Sequence, residues 1–150
     1  LLAFNDAGVK YLVVGAYAVA AHSRPRATGD IDLWIEPAEN ARRAFHALAA
    51  FGAPMDRVEE RTFCEPDIVF QIGVPPIRID IMTAIDGVSF AQAWPQRVAT
   101  RVGNVTPEVL GRDDLLRNEK ASGREKDLAD IKTPHAGYVM RTVRIENFSS

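Results

Sequence analysis

One short stretch constrains this chain more than any other: Gly29-Asp30-Ile31-Asp32-Leu33-Trp34-Ile35-Glu36. Its apolar and polar residues alternate with the period of a β-strand, in which successive side chains leave on opposite faces. Ile31, Leu33 and Ile35 then face a core, while Asp30, Asp32 and Trp34 share the other face. Two carboxylates one pleat repeat apart repel each other by roughly 1 kcal/mol in water and about 4 kcal/mol at an intermediate dielectric. Such a pair suits either a solvated outer face or a site that places positive charge between the acids. A divalent cation with oxygen ligands, Mg²⁺ above all, is the usual occupant.

A second segment repeats the pattern. In Pro76-Ile77-Arg78-Ile79-Asp80-Ile81-Met82, the isoleucines 77, 79 and 81 take the core face and Arg78, Asp80 and Met82 the other. If the two strands are neighbours, Asp80 is a third acid at the same point, and the outer-face reading loses ground.

The rest of the chain bounds the setting. Its 150 residues suit one domain, with a tail after Ile131 that carries little pattern. A net charge of −2 excludes a global basic field for nucleic acid, so phosphate binding must be local. The single cysteine, Cys64, excludes an internal disulfide and reads as an inert thiol in a cytoplasmic protein. The apolar run from Tyr11 to Ala21 is too short to span a bilayer, so no membrane is expected, and no signal peptide is visible. The chain opens mid-pattern without an initiator Met, as a fragment or a trimmed chain would.

Periodicity gives the following order. A helix ends at Ala7, a strand runs from Lys10 to Val14, and a helix from Ala16 to His22. After the acidic strand, Pro37 opens a helix that Gly52 closes. Val58–Phe63 is expected as a strand. Asp67–Ile72 and Ile77–Thr83 form a hairpin with a four-residue loop. Ser89 caps a short helix, and one or two short strands fall in Arg97–Val105. A helix from Asp113 or Asp114 is expected to stop at Gly123, followed by another helical stretch to Ile131 and an extended segment within Tyr138–Ile145. The fold class is α/β (α+β): a mixed β-sheet flanked by helices, with the helices on one side.

Gly15, between the first strand and its helix, allows either a plain tight turn or a phosphate cradle, in which the helix start aims backbone N–H groups at an anion. Val14-Gly15-Ala16, thirteen residues, then Asp30-Ile31-Asp32-Leu33 resembles the signature of the DNA polymerase β-like nucleotidyltransferase superfamily, with Asp80 matching its third acid. More narrowly the chain is similar to small bacterial nucleotidyltransferase-like proteins, the group that includes toxin halves of toxin–antitoxin pairs. Lys120 to Ile131 resembles their C-terminal Lys…Arg-x-Lys-Asp-x-x-Asp motif. The likeness spans about residues 10 to 131.

This resemblance implies a nucleotidyltransferase-like fold and transfer of a nucleoside monophosphate from an NTP, ATP among the choices, to a hydroxyl on RNA (tRNA included), on a protein or on a small molecule. It implies that Asp30, Asp32 and Asp80 bind Mg²⁺ or Mn²⁺ and that Asp80 helps deprotonate the acceptor. Gly15 and the N–H groups from Ala16 onward would hold phosphates; Arg26, Lys120 and Arg124 would neutralise charge on the triphosphate, with Lys126 a weaker candidate. A cognate antitoxin or a homodimer is the implied protein partner. The chain departs from the family at Ala16, where Gly or Ser is usual, and a Ser hydroxyl is lost. A non-catalytic module of the same fold and a metal-dependent phosphohydrolase are the competing readings.

Other residues carry two readings each. Arg24 and Arg26 either contact phosphate or RNA or are solvated loop charges. Trp34 either stacks on a base or packs in place. Thr28 bonds locally or orients Asp30; His22, His46 and His135 read as structural or exposed. Asp127 and Asp130 fit helix-surface ion pairs.

Overall fold

The computed structural model describes residues 1–22, 30–53, 55, 58–74, 77–101, 105–130 and 141–145, the side chains of 2, 38, 74, 77, 124–130 and 141–145 excepted. Seven strands form one mixed sheet in the order β5-β6-β1-β2-β4-β3-β7. They are β1 (Tyr11–Val14), β2 (Asp30–Ile35), β3 (Ile68–Val74), β4 (Ile77–Met82), β5 (Val98–Ala99), β6 (Glu108–Val109) and β7 (Arg141–Ile145). The helices are α1 (Leu2–Ala7), α2 (Gly15–His22), α3 (Pro37–Phe51), α4 (Phe90–Ala93) and α5 (Arg112–Asp130).

β1 lies in the middle of the sheet and is buried at all four residues, which is why its sequence is apolar without alternation. It pairs antiparallel with β2, while β2 pairs parallel with β4. The parallel pair needs a crossover, and α3 with β3 provides it. α3 is held to the sheet by Asn40, which is fully buried. The Lys10 N–H donates to Asn40 Oδ1 at 2.7 Å, and Asn40 Nδ2 donates to the Glu36 carbonyl at 2.8 Å.

Four expectations need correction. Glu60–Cys64 is a 3₁₀ helix, not a strand. Between Val58 and Phe63, both buried, lies a run of exposed Glu59, Glu60 and Arg61, so the segment lacks the alternation a strand requires. It serves to place Phe63 between Phe45 of α3 and Phe70 of β3, stacked on the latter at 4.7 Å. α5 runs through Gly123 without a break. A glycine costs a helix interior about 1 kcal/mol, and the helix is anchored in the turns that precede it. Asp114 is buried in its first turn, and Asn118 and Ser122 bond to Asp86. In the β3–β4 hairpin, Gly73 and Val74 still pair with Arg78 and Ile77, so only Pro75-Pro76 separate the strands.

Helical cover is not confined to one side of the sheet. Leu33, Trp34 and Ile35 are buried in succession, so both faces are covered at that end of β2. Trp34 meets the Phe90 ring of α4 edge-on at 4.9 Å, and Phe90 stacks on Trp94. Ser89 caps α4 as expected, accepting from the Gln92 N–H. Among the described residues, β2 is less than fully buried only toward its start, from Asp30 to Asp32.

Candidate active site

The β2–β4 register decides where the acids meet. Asp32 lies directly opposite Asp80, and Asp30 directly opposite Arg78. All four positions are separated by two residues along their strands, so they share one face. Residues far apart in the sequence thus form a two-by-two array of three carboxylates and one guanidinium.

The array sits beside the turn that ends β1. Val14 pairs with Asp32, and Gly15 follows with φ +67° at the first residue of α2. That backbone conformation is open to glycine and strained for other residues. Space demands glycine as well: a Cβ at position 15 would collide with Asp32 Oδ2 and lie 3.0 Å from its Cγ. The Asp32 carboxylate therefore rests against the bare Cα at the start of α2.

The charges are unequal in setting. Asp30 has 44% of its side chain exposed, whereas Asp80 has 9%. Arg78 reaches across both, with Nε 3.0 Å from Asp80 Oδ1 and Nη2 3.5 Å from Asp30 Oδ2. Burial, followed by the negative charges of Asp80 and Asp30, pushes the Asp32 carboxyl up to about 6, and Arg78 offsets only part of this. Burial also raises Asp80, against the opposing pull of Arg78. The Asp80 side chain beside it raises Asp32 a little further. The cluster is thus short of positive charge, and Asp32 is the group that takes up a proton for want of it.

Three carboxylates are hard oxygen donors, the chemistry that Mg²⁺ and Mn²⁺ prefer, and the charge deficit at Asp32 suits a cation. As the side chains stand, no three acidic, His or Cys residues among the described ones are arranged to hold an ion. Arg78 instead contacts both Asp80 and Asp30. The donor set fits a divalent cation, with a guanidinium already in place.

Ala16 is exposed next to Gly15, and Lys120 is exposed on α5. The side of α5 that carries Asn118 and Ser122 docks on Asp86, and Lys120 points away from it. Arg24, Arg26, Thr28, His135 and the side chains of Arg124, Lys126, Asp127 and Asp130 lie outside the described residues. Trp34 is 2% exposed and packs in place, which excludes base stacking in this state. His22 lies 2.8 Å from the Leu110 carbonyl and ties α2 to the start of α5. His46 is exposed, 3.9 Å from Glu60, and Cys64 is a free, exposed thiol. Arg78 is the residue whose part the sequence left unassigned. Alternation alone placed it beside Asp80, and that spacing was the available signal.

No protein-family model matches the chain, and no curated protein matches it. Among solved structures it is similar to a Thermotoga maritima protein, provisionally described as a nucleotidyltransferase, with a TM-score of 0.61. The match covers 87% of this chain and 84% of that one at 15% identity. The chain therefore has a nucleotidyltransferase-like fold.

Proposed function

We propose that this protein is a divalent-metal-dependent nucleotidyltransferase that moves a nucleoside monophosphate from an NTP to a hydroxyl acceptor. The observation that carries this reading is the meeting of Asp32 with Asp80 across the β2–β4 pair, against the Gly15 turn. The nucleotidyltransferase-like fold supports it as analogy.

In this reading Asp30, Asp32 and Asp80 hold the metal, Mg²⁺ or Mn²⁺. A cation bound there supplies charge stabilisation to the entering and leaving oxygens of an in-line displacement. The chain's own groups do the rest. Gly15 makes room for the Asp32 carboxylate at the turn, and N–H groups at the start of α2 bind the triphosphate oxygens. Ala16 offers no hydroxyl, so the grip there is by backbone alone. The acceptor oxygen attacks the α-phosphorus, its proton passes to an Asp80 carboxylate oxygen, the bond to the bridging oxygen breaks, and pyrophosphate leaves. Arg26, Lys120 and Arg124 remain candidates for charge on the triphosphate. The acceptor, whether tRNA, protein or small molecule, and a protein partner such as an antitoxin or a second copy, belong to the same proposal. No helix among the described residues is long and apolar enough to cross a membrane.

One observation favours a second reading, a non-catalytic module of the same fold: Arg78 already neutralises Asp80. The two are separated by incubating the protein with NTPs labelled at the α-phosphate, Mg²⁺ or Mn²⁺, and RNA or protein acceptors. Transfer that disappears in Asp30→Asn and Asp32→Asn supports the enzyme. No transfer to any acceptor, together with no NTP-dependent thermal shift, supports the module.

A further inference from the structure

Arg78 stands two residues before Asp80 on β4 and opposite Asp30 on β2. One guanidinium therefore bridges two of the three acids. Its Nη2 donates to Asp80 Oδ2 at 3.2 Å and lies 3.5 Å from Asp30 Oδ2, while Nε is 3.0 Å from Asp80 Oδ1. A guanidinium matched to a carboxylate makes two parallel, aligned bonds. Here only one is aligned: Arg78 Nε and Asp80 Oδ1 are both buried, and neither has a hydrogen-bond partner among the described residues despite their closeness. The contact is held by charge and by one directed bond, from Nη2 to Asp80 Oδ2, so a small hard cation that replaces it displaces a single hydrogen bond. With this contact in place, no three acids are arranged around an ion among the described residues.

We infer that Arg78 is the resident counter-ion of the acid cluster, occupying in the metal-free protein the place that a divalent cation takes, so that cation binding requires its displacement. The inference rests on the reading of Asp30, Asp32 and Asp80 as cation ligands and adds a residue that sets how tightly they bind. Arg78 competes with the cation for Asp80 and Asp30, and it lowers the negative potential that draws the cation in. It also keeps the cluster from unfolding the sheet by self-repulsion when no cation is present. Arg78 is a positioning residue in this scheme: it acts through Asp80 and Asp30 and not on the reacting atoms.

The test is Mn²⁺ binding, measured by calorimetry and by the electron paramagnetic resonance of free Mn²⁺, on the full chain without nucleotide. Arg78→Gln is expected to bind Mn²⁺ at least tenfold more tightly than the wild type. Its melting temperature in chelator should be lower, and Mn²⁺ should restore it. Arg78→Lys keeps the charge without the fork and should fall between the two, which preserves the test if the Gln variant folds poorly. In the wild type, a Mg²⁺ titration should shift the Arg78 Nε–H resonance as the guanidinium leaves Asp80. A wild type that binds Mn²⁺ while Arg78→Gln binds it equally or less tightly overturns the inference and leaves the transferase reading standing. An Arg78 resonance unmoved at saturating Mg²⁺ does the same. Absence of Mn²⁺ binding in the wild type and both variants overturns the inference and the metal reading together.

Discussion

Asp32 is where the cost of the cluster falls. Its carboxyl is pushed up to about 6 in the folded chain, from an ordinary value of 3.8. Between those two values the native state binds more protons than the unfolded one, so stability falls as pH rises through this window. Above pH 6 the folded protein carries a charge it holds less well than the unfolded chain does. In chelator at pH 7.5, Asp32→Asn should therefore stabilise the fold by about 1–2 kcal/mol, a rise of a few degrees in melting temperature. The gain should shrink to nothing by about pH 4, where wild-type Asp32 is already protonated. A gain independent of pH would show that the proton is not the cause.

Gly15 offers a second test at this scale. Gly15→Ala meets both a positive φ and the Asp32 carboxylate, and should cost about 2–4 kcal/mol in urea unfolding. Replacing Asp32 by Ala in that background should recover the part due to collision and leave the backbone strain. The three acids were legible from the sequence because alternation fixes the face of every residue on a strand. The part played by Arg78 was not, because it depends on which residue of β2 stands opposite it, and cross-strand register is not written in either strand alone.

Among the elements, α5 shows how a local signal is outweighed. Gly123 reads as a stop, yet the helix continues, with nothing within 4 Å of where its Cβ would lie. Gly123→Ala should therefore stabilise the protein by roughly 0.5–1 kcal/mol, read as a shift in urea midpoint at constant slope. A loss of stability would mean that the backbone there is not helical. Most helix and strand positions were visible from apolar period and from caps, such as Ser89 before α4 and Gly52 after α3. The 3₁₀ helix at Glu60–Cys64 was not, because its one buried residue, Phe63, answers to Phe45 and Phe70, which tertiary packing brings to it.

For the molecule as a whole, the site exists only when β2 and β4 are zipped in the right register. A slip of one residue would send Asp80 to the opposite face, so folding and site assembly are one event. A cation and nucleotide that bind only the folded chain should then raise its stability by about 2.7 kcal/mol at a hundredfold excess over the dissociation constant. Thermal melts with Mn²⁺ and an NTP, against chelator, measure this, and no shift would count against binding. The α/β class and the helix–strand order could be read from the chain. The seven-strand order could not, since β5 and β6 have two residues each and carry no period of their own.

The pairing of β7 with β3, from Ile68 beside Arg141 to Ile72 beside Ile145, has a consequence for how the molecule meets its own kind. β7 blocks a flank along which five successive backbone positions would otherwise invite a foreign strand. A chain shortened at residue 140 should leave that flank raw and self-associate, leaving a gel-filtration column earlier than the full chain. Elution as a single copy would mean that something besides β7 guards the margin.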